Sequence, residues 1–271
     1  MIALFFSLLT FADQKSERRL VQSKALDKPM HITTIWSNES HTDQGYMVVL
    51  MLHGLGDDDQ GFLGNRLYFA EAEIPMIVIS PQGDRGYWTD GDAGNYASWA
   101  LEAVELERQR LGLSREPCRT AIAGVSMGGF GALSIGLQHP EIFSLIAPLS
   151  PTDLELAIED IAPAGPMRLL YTDVWGEPLD MEAVRAVNPI RLLEDGKGKE
   201  QYFAYVVGEK ESRKFRQGAV KIHHHAQKES LQFELRVVPE AGHSWHPTWG
   251  AQSTRWWIEE LGGKIGGGCA L

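Results

Sequence analysis

The chain has 271 residues, 44% of them hydrophobic, and carries 36 acidic against 25 basic side chains for a net charge of −11. That length and composition suit one large α/β domain with a sizeable core, and so acidic a surface repels phosphate backbones, which excludes nucleic acid as an expected partner. The two cysteines, Cys118 and Cys269, are far apart and give neither a disulfide framework nor metal-ligand spacing, so both read as incidental.

Residues 1–12 form a mostly apolar run ahead of a charged segment. The run is too short to span a bilayer and reads as the hydrophobic core of a secretory signal, although no Lys or Arg precedes it. The expected protein is then exported, periplasmic or extracellular, without a stable membrane anchor. A mis-set start or a short buried segment is the competing reading, which leaves the protein cytoplasmic.

A single domain is expected over residues 20–261. Leu20-Val21, Ala25-Leu26 and then His31-Ile32-Thr33-Thr34-Ile35-Trp36 read as an opening strand pair, and a polar turn follows. Tyr46-Met47-Val48-Val49-Leu50-Met51-Leu52 is apolar throughout, as a strand covered on both faces should be, and it ends in His53-Gly54-Leu55-Gly56. A short helix is predicted over 62–72 and a buried strand at Met76-Ile77-Val78-Ile79. Residues 81–98 read as a long functional loop whose aromatics, Trp88 and Tyr96, could line a substrate cleft or pack over the sheet edge. A helix is predicted over 99–111, with Glu102, Glu105, Glu107 and Arg108 on its outer face.

The apolar run Thr120-Ala121-Ile122-Ala123 leads into Gly124-Val125-Ser126-Met127-Gly128-Gly129, and a helical pattern follows. A Gly-x-Ser-x-Gly turn between a buried strand and a helix is the context of a nucleophile elbow. Residues 143–150 read as the next strand, 151–193 as an irregular, cap-like insertion, and 202–207 as a strand ending in Gly208-Glu209-Lys210-Glu211. Helix 212–229, strand 231–238, the segment Ala241-Gly242-His243-Ser244-Trp245, a closing helix over 249–261 and a Gly-rich tail at 262–271 complete the chain. Alternating strands and helices without an internal repeat predict a doubly wound, mostly parallel α/β sheet.

A serine hydroxyl is a weak nucleophile until a base takes its proton, and the base is usually a histidine oriented by a carboxylate. After an elbow the partners follow in the order Ser, acid, His. His243, after the last strand and beside Gly242, is the expected base, with His246 as its near rival. Glu211 is the expected acid; Glu209 and Asp153 are the alternatives. Two backbone N–H groups must face the developing oxyanion, one from Met127 and the other most simply from Leu55, where Gly54 and Gly56 permit the turn. Trp245, next to the histidine, joins Trp88 and Tyr96 as expected substrate contacts. Asp57-Asp58-Asp59 reads as a solvated loop or helix cap. His223-His224-His225 would lie ~100° apart around a helix and cannot converge on one metal. No metal or organic cofactor is expected.

The runs Val49-Leu50-Met51-Leu52-His53-Gly54-Leu55-Gly56, Gly124-Val125-Ser126-Met127-Gly128-Gly129-Phe130-Gly131-Ala132-Leu133, His139-Pro140-Glu141-Ile142-Phe143 and Gly242-His243-Ser244-Trp245 together resemble the putative esterase family of α/β-hydrolases. That family includes esterase D (S-formylglutathione hydrolase), feruloyl and acetyl-xylan esterases, and mycolyltransferases. The resemblance spans residues 23 to 261. It implies the α/β-hydrolase fold, Ser126 as nucleophile, His243 as base, and the Leu55 and Met127 N–H groups as oxyanion hole. Members commonly carry Asp where Glu211 stands. The expected activity is serine carboxylic-ester hydrolysis through an acyl-enzyme, on acylated carbohydrate, aromatic or short-chain esters. An acyltransferase using the same residues, a peptidase, and a non-catalytic binding protein on the same scaffold are the alternatives.

Overall fold

The computed structural model describes residues 16–37, 45–65, 75–160, 165–243, 256 and 259–260. The expected signal run 1–12, most of the helix over 62–72, Trp245, His246, nearly all of the closing helix, Cys269 and the tail at 262–271 lie outside the described residues. Two antiparallel strands open the fold, β1 (Ser16–Ser23) and β2 (Lys28–Trp36). Then come β3 (Met47–Leu52) and β4 (Met76–Pro81), in which every residue is buried. Runs so apolar, with Ser80 their one polar side chain, can only be accommodated with cover on both faces, and each fully buried Val, Leu or Ile contributes about 1.5–3 kcal/mol.

Between β4 and the next large strand the chain makes a two-residue hairpin, β5 (Asp90–Gly91) with β6 (Gly94–Asn95), and the helix α1 (Tyr96–Leu111). The helix starts three positions before the expected Trp99, and its face is not the expected one: Glu107 and Arg108 are buried. Glu107 is gripped by Arg19, Arg110 and Thr34, and Arg108 donates to Thr120 Oγ1 at 2.6 Å. Specific partners from β1, β2 and the neighbouring strand thus overrule the polar reading of these side chains.

Strand β7 (Thr120–Val125) feeds helix α2 (Met127–Gln138), followed by β8 (Leu145–Leu149). Four short helices occupy most of the segment read as irregular: α3 (Leu154–Glu159), α4 (Pro166–Trp175), α5 (Met181–Val187) and α6 (Pro189–Glu194). Strand β9 (Tyr202–Gly208), helix α7 (Arg213–Lys228) and strand β10 (Gln232–Val238) complete the described core.

The main sheet has eight strands in the order β1-β2-β4-β3-β7-β8-β9-β10. β2 pairs antiparallel with β4, and every pairing from β4 through β10 is parallel. Buried side chains form one cluster on each face of the sheet, as in a doubly wound fold of the α/β-hydrolase kind. The parallel strands bring the loops after β3, β7, β8, β9 and β10 to one sheet edge, where α/β folds build their sites. Cys118, read as incidental, is disulfide-bonded.

Candidate active site

The turn between β7 and α2 is built by sterics. Ser126 has φ 56° and ψ −112°, a conformation that costs an L-residue energy and persists only where its surroundings enforce it. A Cβ at Gly128 would run into the Leu52 carbonyl, and one at Gly124 into the carbonyl of Gly128. With glycine at both positions the backbones close up. Ser126 N donates to Leu149 O at 2.9 Å, and Phe130 N donates to Ser126 O at 2.9 Å to start the helix. The hydroxyl therefore stands at the N-terminal, electropositive end of α2.

Ser126 Oγ lies 2.9 Å from His243 Nε2, and His243 Nδ1 lies 2.9 Å from Glu211 Oε2. The loops that carry the last two residues are joined by backbone. Glu209 N donates to Val238 O at 2.9 Å and Lys210 N to Ala241 O at 2.7 Å. Glu211, whose side chain is fully buried, is thereby turned toward the imidazole. Of the two alternative carboxylates, Glu209 accepts from Glu240 N, while Asp153 caps α3 and pairs with Lys221. Neither meets His243. One contact carries no sequence signal: the Phe215 ring, near the start of α7, stacks on His243 with centroids 3.8 Å apart and planes 14° apart.

Across the cavity, Leu55 sits in the turn after β3. His53 is fully buried, and burial pushes its imidazole below the ordinary pKa. Its Nε2 accepts from Gly83 N at 2.8 Å, which places the ring proton on Nδ1, 2.8 Å from Gly54 O. A trans peptide directs its C=O and N–H to opposite edges. With the Gly54 carbonyl held by His53, the Leu55 N–H lies on the other edge. Leu55, Phe62, Val125, Ser150 and Asp57 line a cavity of about 200 Å³ together with Ser126 and His243. A larger groove, about 810 Å³ between α6 and α7, contains none of these residues, and its Arg191 and Lys221 are already paired with carboxylates.

Two expected substrate contacts are corrected. Trp88 is 0% and Tyr96 4% exposed, and neither lines the cavity. The Trp88 indole N–H donates to the His53 carbonyl at 3.1 Å, and Tyr96 Oη lies 3.0 Å from Lys28 Nζ and 2.8 Å from Asp84. The glycines around them explain the error. A Cβ at Gly83 or Gly131 would collide with Trp88, and one at Gly86 with Tyr96. Alternating glycine and aromatic residues here provide seats for rings under the site. Trp245, the third expected contact, lies outside the described residues. Asp59 also departs from the solvated reading: it is 1% exposed and paired with Arg18. His223 is half-buried and packs against Phe233, while His224 on the same helix is exposed.

Comparison with known proteins bears on the same segments. Residues 23–266 match the model of the family described as "Putative esterase". Among solved structures, the fold is similar to FphF, a fluorophosphonate-binding serine hydrolase of Staphylococcus aureus, at a TM-score of 0.77 and 18% identity over 92% of this chain and 98% of that one. An S-formylglutathione hydrolase from Agrobacterium tumefaciens gives 0.72 and 19% over 93% and 95%. A ferulic acid esterase from Anaeromyces mucronatus gives 0.61 and 16% over 90% and 88%.

Proposed function

The chain belongs to the "Putative esterase" family and is a serine esterase, and we propose that Ser126, His243 and Glu211 cleave its esters through an acyl-enzyme. The observation that carries this reading is the unbroken relay from Ser126 Oγ through both imidazole nitrogens to Glu211, each step at 2.9 Å. In this reading Ser126 Oγ attacks the ester carbonyl while His243 Nε2 takes its proton. Glu211 holds the tautomer with the proton on Nδ1 and stabilises the imidazolium that forms. The carbonyl oxygen, now anionic, accepts from the Leu55 and Met127 N–H groups. Collapse expels the alcohol, which leaves with the proton from His243. Water then repeats the sequence on the acyl-serine and releases the acid.

A cavity of about 200 Å³ walled by Leu55, Phe62 and Val125 suits a short or aromatic acyl group. The ferulic acid esterases among the structural neighbours make esters of aromatic acids the first substrates to try. The apolar run at 1–12 supports export. Among the described residues no helix is long and apolar enough to cross a membrane.

The test is hydrolysis of p-nitrophenyl acetate by the wild type and by Ser126→Ala. The expected loss is about 10⁴-fold or more, together with loss of labelling by a fluorophosphonate probe. Equal rates in the two proteins would overturn the assignment. A panel of esters varied in acid and alcohol then ranks the substrates.

A further inference from the structure

The three consecutive aspartates after the Gly54–Gly56 turn separate in the structure. Asp57 and Asp58 are exposed and serve the loop's own turns: Asp57 Oδ1 accepts from Asp58 N at 3.0 Å and Asp58 Oδ1 from Gln60 N at 2.8 Å. Asp59 turns the other way, into the body of the protein. Its Oδ2 accepts from Arg18 Nε at 2.8 Å and from Thr33 Oγ1 at 2.6 Å, and its Oδ1 accepts from Arg18 Nη2 at 2.9 Å. Arg18 and Thr33 are direct partners across β1 and β2, so a rigid cross-strand pair presents a guanidinium fork and a hydroxyl to one carboxylate. A buried carboxylate is costly unless it is paired in this way. Burial pushes Asp59 up, but the hydrogen bonds from Arg18 and Thr33 outweigh it and hold the group below its ordinary range.

We propose that Asp59 is a positioning residue for the oxyanion donor, an inference that rests on reading the Leu55 N–H as that donor. Leu55 lies between two anchors. On one side His53 is fixed to Gly83 N and to Gly54 O; on the other, Asp59 is fixed to the edge of the sheet. The segment between them contains glycines and exposed aspartates and has little core of its own. Release of the Asp59 anchor lets the turn drift relative to Ser126. A small drift weakens a hydrogen bond that matures only when the carbonyl becomes an oxyanion, and it leaves ground-state binding nearly unchanged. The edge strand β1, distant in sequence from every residue of the relay, thereby sets kcat through Arg18.

The test uses Asp59→Asn and, from the half-exposed end of the same pair, Arg18→Gln, assayed with an aryl ester and its thiono analogue. Sulfur accepts these hydrogen bonds poorly, so the ester-to-thionoester rate ratio, corrected for reactivity toward hydroxide, reports engagement of the oxyanion hole. Full loss of one donor is worth about 10²–10³-fold; a displaced donor should cost about tenfold in kcat, with KM unchanged. The ester-to-thionoester ratio should fall by the same factor, because only the ester loses a contact. A merely structural role would lower the melting temperature and leave that ratio alone. If the wild type discriminates against the thionoester and both variants keep its ratio and kcat, the positioning role is overturned and the oxyanion reading stands. If the wild type does not discriminate, the oxyanion reading itself fails. Should Asp59→Asn not fold, Arg18→Gln decides by the same ratio.

Discussion

Ser126 and Leu55 face one cavity, yet the two are held there by opposite means. The elbow is a backbone construction: a left-handed Ser126 between two glycines whose missing Cβ atoms make room for main-chain carbonyls. The loop after β3 is a side-chain construction, tied by His53 to the loop after β4 and by Asp59 to the first two strands. A sterically enforced turn needs few residues and tolerates almost no substitution. A tethered loop draws on distant residues and should degrade by degrees.

The sharpest way to break that contrast is a paired glycine test. Gly128→Ala places a methyl group against backbone atoms of Leu52 and His53, which cannot move without parting β3 from β7. The expected loss is about 4 kcal/mol or more, measured by urea unfolding, with activity gone. At Gly61, in the tethered loop, the atoms nearest to a Cβ all belong to the Asp57 carboxylate, the far end of a flexible side chain whose hold here is one local hydrogen bond from Asp58 N. Gly61→Ala should stay within about 1 kcal/mol of the wild type. Equal unfolding midpoints for the two variants would show that the elbow is no more sterically determined than the loop.

The same contrast explains what was legible in the chain. The elbow and the buried strands β3, β4, β7 and β9 announce themselves because local sterics and unbroken apolar runs leave one solution. Ser126, His243 and Glu211 are brought together as the order of motifs implies, but only the backbone pairing of the loops after β9 and β10 selects Glu211 over Glu209. Helices α3 to α6 escape detection because each is too short for periodicity to show. Their start signals, the caps Asp153, Asp180 and Asn188 with Pro166 and Pro189 in the first turns, are easily read as loop residues. Trp88 mislead as a cleft aromatic because the glycines that seat it are distributed over 83 and 131. Arg18 and Phe215 carry no signal; each acquires its role only when tertiary structure delivers its partner.

Glu211 extends the comparison to the histidine side, where a side chain rather than a turn sets the geometry. Glu211→Gln keeps the shape but offers His243 Nδ1 an amide in place of a carboxylate, so the wrong tautomer becomes accessible and the imidazolium loses its counter-charge. The expected fall in kcat is about 10³–10⁴-fold, with fluorophosphonate labelling slowed in parallel. Glu211→Asp keeps the charge on a stem one methylene shorter and should recover part of the loss. A glutamine variant with wild-type kcat would show that the carboxylate is a packing residue.

The smallest effect expected is at Phe215, and it separates two ways a ring can help a histidine. With centroids 3.8 Å apart and planes nearly parallel, the phenyl face blocks rotation of the imidazole out of line with Ser126. It also turns a π-face toward the group that becomes cationic in the transition state. That electrostatic part is worth about 0.5–1 kcal/mol at a partly exposed site, or about two- to fivefold in kcat/KM. Phe215→Leu removes the π-face but keeps an apolar side chain against the ring, whereas Phe215→Ala removes both. If the π-face matters, leucine costs about threefold and alanine more. If the ring acts only as a wedge, leucine matches the wild type and alanine alone is slow. Measuring kcat/KM for both variants on one ester decides between them, and the wedge result would place the histidine with the tethered loop: positioned by contact, with no electronic contribution from its neighbour.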